Sequence, residues 1–162
     1  MERRELFSSL ASSVKNATKE KPEKLARPPY NNDESLFHNE CSKCEAKCAT
    51  VCEVEIIKMA QDKTPYLDFS KSGCTYCDKC ALACDFGVLR LEDKSFVQAK
   101  VIIDKNICYS WQGVMCFSCK DPCLEDAIDF TAMFTPVIND KCTSCGFCVS
   151  RCPAQSIKVE VI

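Results

Sequence analysis

Cys142-Thr143-Ser144-Cys145-Gly146-Phe147-Cys148-Val149-Ser150-Arg151-Cys152-Pro153 spaces four cysteines by gaps of two, two and three residues and follows the last with proline. Short chains hold [4Fe–4S] clusters with this run, three thiolates going to one cluster and the fourth to a neighbour. Three cysteines within about eight residues can wrap one cubane corner by corner, because the loop turns on itself between them. The fourth stands a helical turn further on and points away. A single such run therefore implies a second.

Three more quartets precede it. Cys74-x2-Cys77-x2-Cys80-x3-Cys84 has the same spacing, Cys41-x2-Cys44-x3-Cys48-x3-Cys52 has one extra residue in the middle gap, and Cys108-x7-Cys116-x2-Cys119-x3-Cys123 has a long first gap containing Trp111 and Gly113. The first cysteines recur at intervals of 33, 34 and 34 residues, so the chain is an internal repeat. The repeat extends past the thiols. Ile57, Leu89, Ile128 and Ile157 stand five residues beyond each final cysteine, and Met59, Leu91, Phe130 and Val159 stand seven beyond. This alternation predicts a short half-buried strand after every quartet. Apolar runs at Tyr66-Leu67-Asp68-Phe69, Val101-Ile102-Ile103 and Val137-Ile138 predict strands ahead of three of them. Each repeat thus reads as strand, cluster loop, short helix carrying the fourth cysteine, and strand.

The expected fold is α+β: two tandem dicluster ferredoxin-like units, with small antiparallel sheets and short helices around four [4Fe–4S] clusters. Residues 1–36 read as an amphipathic segment and proline-containing linker, 37–95 as the first unit and 96–162 as the second. Pairing neighbouring quartets is the economical choice. It assigns Cys41, Cys44, Cys48 and Cys84 to one cluster and Cys74, Cys77, Cys80 and Cys52 to its mate. In the second unit it assigns Cys108, Cys116, Cys119 and Cys152, then Cys142, Cys145, Cys148 and Cys123. A nested pairing, first with fourth and second with third, stays open, as does a labile or three-iron cluster in the irregular first and third quartets.

Other uses of sixteen cysteines in 162 residues fit less well. Four-cysteine zinc sites set two C-x2-C pairs well apart, whereas three quartets here keep a second-to-third gap of two residues. Disulfides need an oxidising compartment, and cysteines on one turn bridge poorly. The net charge of −2 divides into +3 over residues 1–29 and −5 over 30–162, and an acidic body argues against a nucleic-acid partner. No run approaches the roughly 20 apolar residues of a membrane span. The polar start lacks the apolar core of a secretory signal, despite Arg3-Arg4, so the expected location is cytoplasmic. A glycine-rich phosphate loop and a His–carboxylate pair are both missing, and the expectation is that the protein is not an enzyme.

Smaller features read as follows. His38, the single histidine, reads as a surface residue. Tyr76, Phe117 and Phe147 sit inside cluster loops, where rings shield sulfur from water. Leu6, Leu10 and Val14 fall at helical spacing with Phe7 and Ala11 beside them, and the charged stretch from Lys19 to Pro29, with three prolines, reads as a linker.

Four such motifs behind a polar lead-in resemble the NapF family, ferredoxin-type accessory proteins of the periplasmic nitrate reductase system. The likeness is carried by Arg3-Arg4, by Arg27-Pro28-Pro29-Tyr30 with Asp33-Glu34-Ser35 and Phe37, and by the irregular third motif followed by Ala127-Ile128. The extra residue between Cys44 and Cys48 departs from the family pattern. The resemblance implies a cytoplasmic polyferredoxin that acts on the precursor of the nitrate reductase catalytic subunit before its export, in maturation, electron supply or both. The alternatives are a general electron-transfer relay with redox protein partners, or the cluster-bearing subunit of another oxidoreductase.

Overall fold

A computed structural model describes residues 24–162; the helical face on Leu6, Leu10 and Val14 and the Arg3-Arg4 pair lie outside them. Among the described residues all regular elements are short. Helix α1 (Ser35–Glu40) and a 3-10 turn lead into the first quartet, followed by α2 (Lys47–Thr50), β1 (Ile57–Met59), β2 (Pro65–Leu67), α3 (Lys79–Leu82), β3 (Ala99–Ile103), β4 (Ile128–Thr131), β5 (Thr135–Ile138), α4 (Phe147–Arg151) and β6 (Ile157–Val161). The strands form three antiparallel two-stranded sheets, β1–β2, β3–β6 and β4–β5. Ile57 pairs with Leu67, Ile128 with Ile138, and Val101 with Val159, so the apolar residues of each repeat face one another across the ladder.

The strands expected after the first, third and fourth quartets are present, and those ahead of the second, third and fourth are β2, β3 and β5. The strand expected at Leu89–Leu91 is not formed; Leu91–Asp93 is a 3-10 turn instead. Its partner by the symmetry of the repeat is the segment Ala26–Tyr30. Pro28 and Pro29 have no N–H to give a ladder, and the two segments are joined only by Arg90 N–H to the Tyr30 carbonyl (2.8 Å) and Ser95 N–H to the Pro29 carbonyl (2.9 Å). Composition places residues 26–30 in a linker, yet Ala26 and Tyr30 are buried. Arg27 Nη1 donates to the Thr64 hydroxyl and the Pro65 carbonyl, both at 2.8 Å.

The helices also differ from expectation. Cys48, Cys80 and Cys148 lie within α2, α3 and α4, so the helix carries the third cysteine of its quartet, and the fourth stands just past its end. The third quartet has no helix between Cys119 and Cys123. There Pro122 biases Asp121 away from the helical region.

Two apolar cores run through the described chain. One gathers Tyr30, Phe37, Ile56, Val88 and Leu89, with Val159 and Val161 packed on it; the other centres on Val101, Ile128, Cys148 and Ile157. The two halves meet where the loop before Cys74 passes the loop after Cys145. Cys74 N–H donates to the Cys145 carbonyl (2.6 Å) and Tyr76 Oη to the Thr143 carbonyl (2.5 Å), while within the second half the Ser144 hydroxyl donates to the Ala99 carbonyl (2.5 Å). At Gly146, φ is +84° and an added Cβ would sit 2.2 Å from the Phe69 ring. Gly146→Ala therefore meets both left-handed strain and a clash. We expect it to lower stability by about 2–4 kcal/mol, measured as a fall in the thermal midpoint of the anaerobically purified protein; an unchanged midpoint would show that this seam is not tightly packed.

Candidate iron–sulfur sites

A backbone device repeats around each quartet. Ala46, Asp78 and Gly146 take left-handed conformations two residues before Cys48, Cys80 and Cys148. A second left-handed residue follows each fourth cysteine by three positions: Glu55, Gly87, Asp126 and Gln155. The first kink curls the loop so that its thiols face inward. The second reverses the chain into the following segment and aims N–H groups back at the sulfur just passed. Leu89 N–H reaches Cys84 Sγ at 3.4 Å, Ala127 N–H reaches Cys123 Sγ at 3.3 Å, and Ser156 N–H reaches Cys152 Sγ at 3.3 Å.

The thiols that come together belong to neighbouring quartets. Cys41, Cys44, Cys48 and Cys84 line one pocket, here the first site. Cys108, Cys116, Cys119 and Cys152 line the third site, and Cys142, Cys145, Cys148 and Cys123 the fourth. At the second, Cys74 feels the charge of Cys77 and Cys52 and also of Cys145, and Cys80 that of Cys74 and Cys77 and also of Cys48, so this set borders the first and fourth sites. Exposed pairs Lys47–Asp85 and Lys79–Glu53 join the residue before each third cysteine to the residue after the other quartet's fourth, a reciprocal arrangement across the first two repeats. Such surface pairs are worth little in energy, but they record the two-fold relation of the repeats.

Burial pushes the thiols of Cys41, Cys48, Cys74 and Cys119 up to about 11 and those of Cys80 and Cys148 up to about 12, with the charge of neighbouring thiols adding to the effect. Thiols so placed become thiolates at neutral pH only against positive charge brought by a ligand. Among the described residues no three His, Cys, Asp or Glu side chains are arranged for a single metal ion; the quartets instead surround a space. Four soft sulfur donors per pocket, N–H groups aimed at the fourth sulfur, and walls such as Met59, Phe86 and Val88 suit an iron–sulfur cubane.

Chemistry-bearing neighbours that the cysteine spacing does not reveal are Ser110, Ser118 and Ser156 in the third site and Thr143 and Glu125 in the fourth. Their only sequence signal is a hydroxyl one, two or four residues from a cysteine, or for Glu125 a carboxylate two residues after Cys123. Of the aromatic residues in the loops, Phe147 lines the fourth site, Phe117 packs on Phe130 with ring centroids 4.8 Å apart, and Tyr76 meets Phe96 edge-on at 5.9 Å. His38 is exposed and faces Asp62 at 3.6 Å. Trp111, in the long gap, donates from Nε1 to the Pro136 carbonyl at 3.2 Å and pins that gap to β5.

Residues 135–158 match the family of 4Fe-4S binding domains. The chain is 30% identical over 141 residues to the ferredoxin-type protein NapF of Escherichia coli (strain K12), covering 84% of this chain and 85% of that one. It is 28% identical to the ferredoxin-type protein NapG of the same strain, over 84% of this chain and 69% of the relative. To the methylamine utilization ferredoxin-type protein MauM of Methylobacillus flagellatus it is 26% identical, over 85% of this chain and 68% of the relative.

Proposed function

The chain belongs to the NapF family of ferredoxin-type 4Fe–4S proteins, and on that premise we propose that its sixteen cysteines hold four clusters in a line, forming an electron relay that serves the cytoplasmic precursor of the periplasmic nitrate reductase catalytic subunit. When bound, such clusters take up and give back single electrons. The ligand sets in this reading are the four sets of neighbouring-quartet thiols described above, with residues 37–95 and 96–162 as the two dicluster units.

The observation that carries the relay is the seam. Cys48 lies near Cys80, joining the first site to the second. Cys74 N–H is bonded to the Cys145 carbonyl, joining the second to the fourth, and Cys148 lies near Cys119, joining the fourth to the third. These contacts favour electron passage in the order first, second, fourth, third. In this reading the cysteines are committed to the clusters, and among the described residues no constellation for a reaction of its own accompanies them. Among the described residues no helix is long and apolar enough to cross a membrane. The nitrate reductase assignment rests on the family resemblance, and it covers help with maturation as well as electron supply.

Capture of the tagged protein from cells grown anaerobically with nitrate tests the reading. The unexported catalytic subunit is expected to come down with it, and the anaerobically reduced protein should be reoxidised on mixing with that precursor. Recovery of a dehydrogenase or a membrane quinol oxidase subunit instead would make the protein a general relay, or the cluster-bearing subunit of another oxidoreductase.

A further inference from the structure

The four sites are not chemically equal. In the third, three serines line the same pocket as Cys108, Cys116, Cys119 and Cys152. Ser156 is 1% exposed, and its Oγ lies 3.2 Å from Cys152 Sγ, in addition to the N–H bond from the same residue. Ser118 Oγ lies 3.7 Å from Cys116 Sγ. The thiol is the donor in that contact; as a ligating thiolate it can only accept, and the hydroxyl must turn to donate. Ser110 is also 1% exposed, and its buried Oγ has no hydrogen-bond partner among the described residues. An unpaired buried hydroxyl is destabilising, so a donor left waiting at the wall of a thiol pocket needs an acceptor inside it.

The other sites lack this equipment. No hydroxyl lines the first. The fourth has Thr143, but also the Glu125 carboxylate, whose charge opposes added electrons. Ser144 is close to Cys142, yet its one proton goes to the Ala99 carbonyl. At the second site, no described hydroxyl bonds to sulfur; Cys77 is exposed, and water there is a mobile donor where Ser110 and Ser156 are fixed.

Hydrogen bonds to cluster sulfur favour the reduced, more negative state and raise the potential. We propose that Ser110, Ser118 and Ser156 hydrogen-bond the sulfur of the third site and make the cluster held there the most readily reduced of the four. The step concerned is uptake of one electron, with no proton transferred and no bond made or broken. In the relay proposed above, an electron introduced at any of the sites therefore settles at the third. The inference rests on the four-cluster reading above.

The test is an anaerobic redox titration of the full chain with dithionite, followed by EPR, comparing wild type with the double variant S110A/S156A. The most positive wave is expected to move negative by about tenfold in reduced-to-oxidised ratio, about 59 mV for one electron, while the other waves and the iron and sulfide contents stay put. S156A alone keeps the backbone N–H bond and should give a smaller shift of the same sign, which provides a readout if the double variant assembles poorly. Full iron with an unmoved positive wave, or movement of a different wave, overturns the serine assignment and leaves the relay standing. A wild-type chain with only three clusters, and none bound by the third quartet, sinks both.

Discussion

Cys41→Ala and Cys84→Ala, changes made 43 residues apart in different motifs, are expected to abolish the same [4Fe–4S] signal. Cys41, Cys44, Cys48 and Cys84 line one pocket, so the loss of any one opens the same corner of the same site. Each single variant should lower iron from about sixteen to about twelve per chain, and the double variant should lose no more. Such non-additivity marks residues that act as one unit. Cys41→Ala with Cys52→Ala should behave differently, because Cys52 belongs to the second ligand set in the proposed arrangement; iron should then fall to about eight. Measuring iron, acid-labile sulfide and the reduced EPR spectrum on anaerobic preparations decides the matter. If each quartet instead closed on its own cluster, Cys41→Ala and Cys52→Ala would be the equivalent pair, and Cys84→Ala would add a second loss.

That exchange between neighbours is legible in the sequence because the thiols are both the signal and the site. The 33- and 34-residue period, with aliphatic residues five beyond each fourth cysteine, marks β1, β4 and β6. What the period hides is where symmetry fails. The Leu89–Leu91 alternation matches that of the other repeats, but whether it becomes a strand depends on its partner, and the partner contains Pro28 and Pro29. The left-handed kinks are hidden for another reason. Gly87 and Gly146 advertise two of them, whereas Ala46, Glu55 and Gln155 occupy the equivalent positions with side chains that give no sign of it. Cluster loops impose these conformations from outside the local sequence. Ser110 and Ser156 are hidden likewise, since a serine near a cysteine becomes a donor only after the loop has folded around the pocket.

The same strain makes loss of iron the most disruptive change available to this protein. Seven non-glycine residues in the cluster loops, Ala46, Glu55, Tyr76, Asp78, Asp126, Ser144 and Gln155, hold positive φ. At roughly 1–2 kcal/mol each, they store about 7–14 kcal/mol, comparable with the whole stability of an ordinary domain, about 5–15 kcal/mol. Local structure cannot carry that load. Among the described residues the longest strand has five residues, every sheet has two strands, and α2 to α4 span four or five residues, far below the length at which either element stands alone. With the proposed ligand sets, four bonds from protein sulfur to each cluster would hold these loops closed, so binding energy would be folding energy here. Chelation of iron under anaerobic, reducing conditions is therefore expected to abolish the cooperative thermal transition and the far-UV signature of the strands, with the protein becoming an easy target for proteolysis across residues 37–162. Rebuilding the clusters with iron and sulfide should restore both. A metal-free chain that still melts cooperatively near the temperature of the loaded form would mean that the two apolar cores around Ile56 and Ile128 hold the fold by themselves, and that the loops wait preformed for their iron.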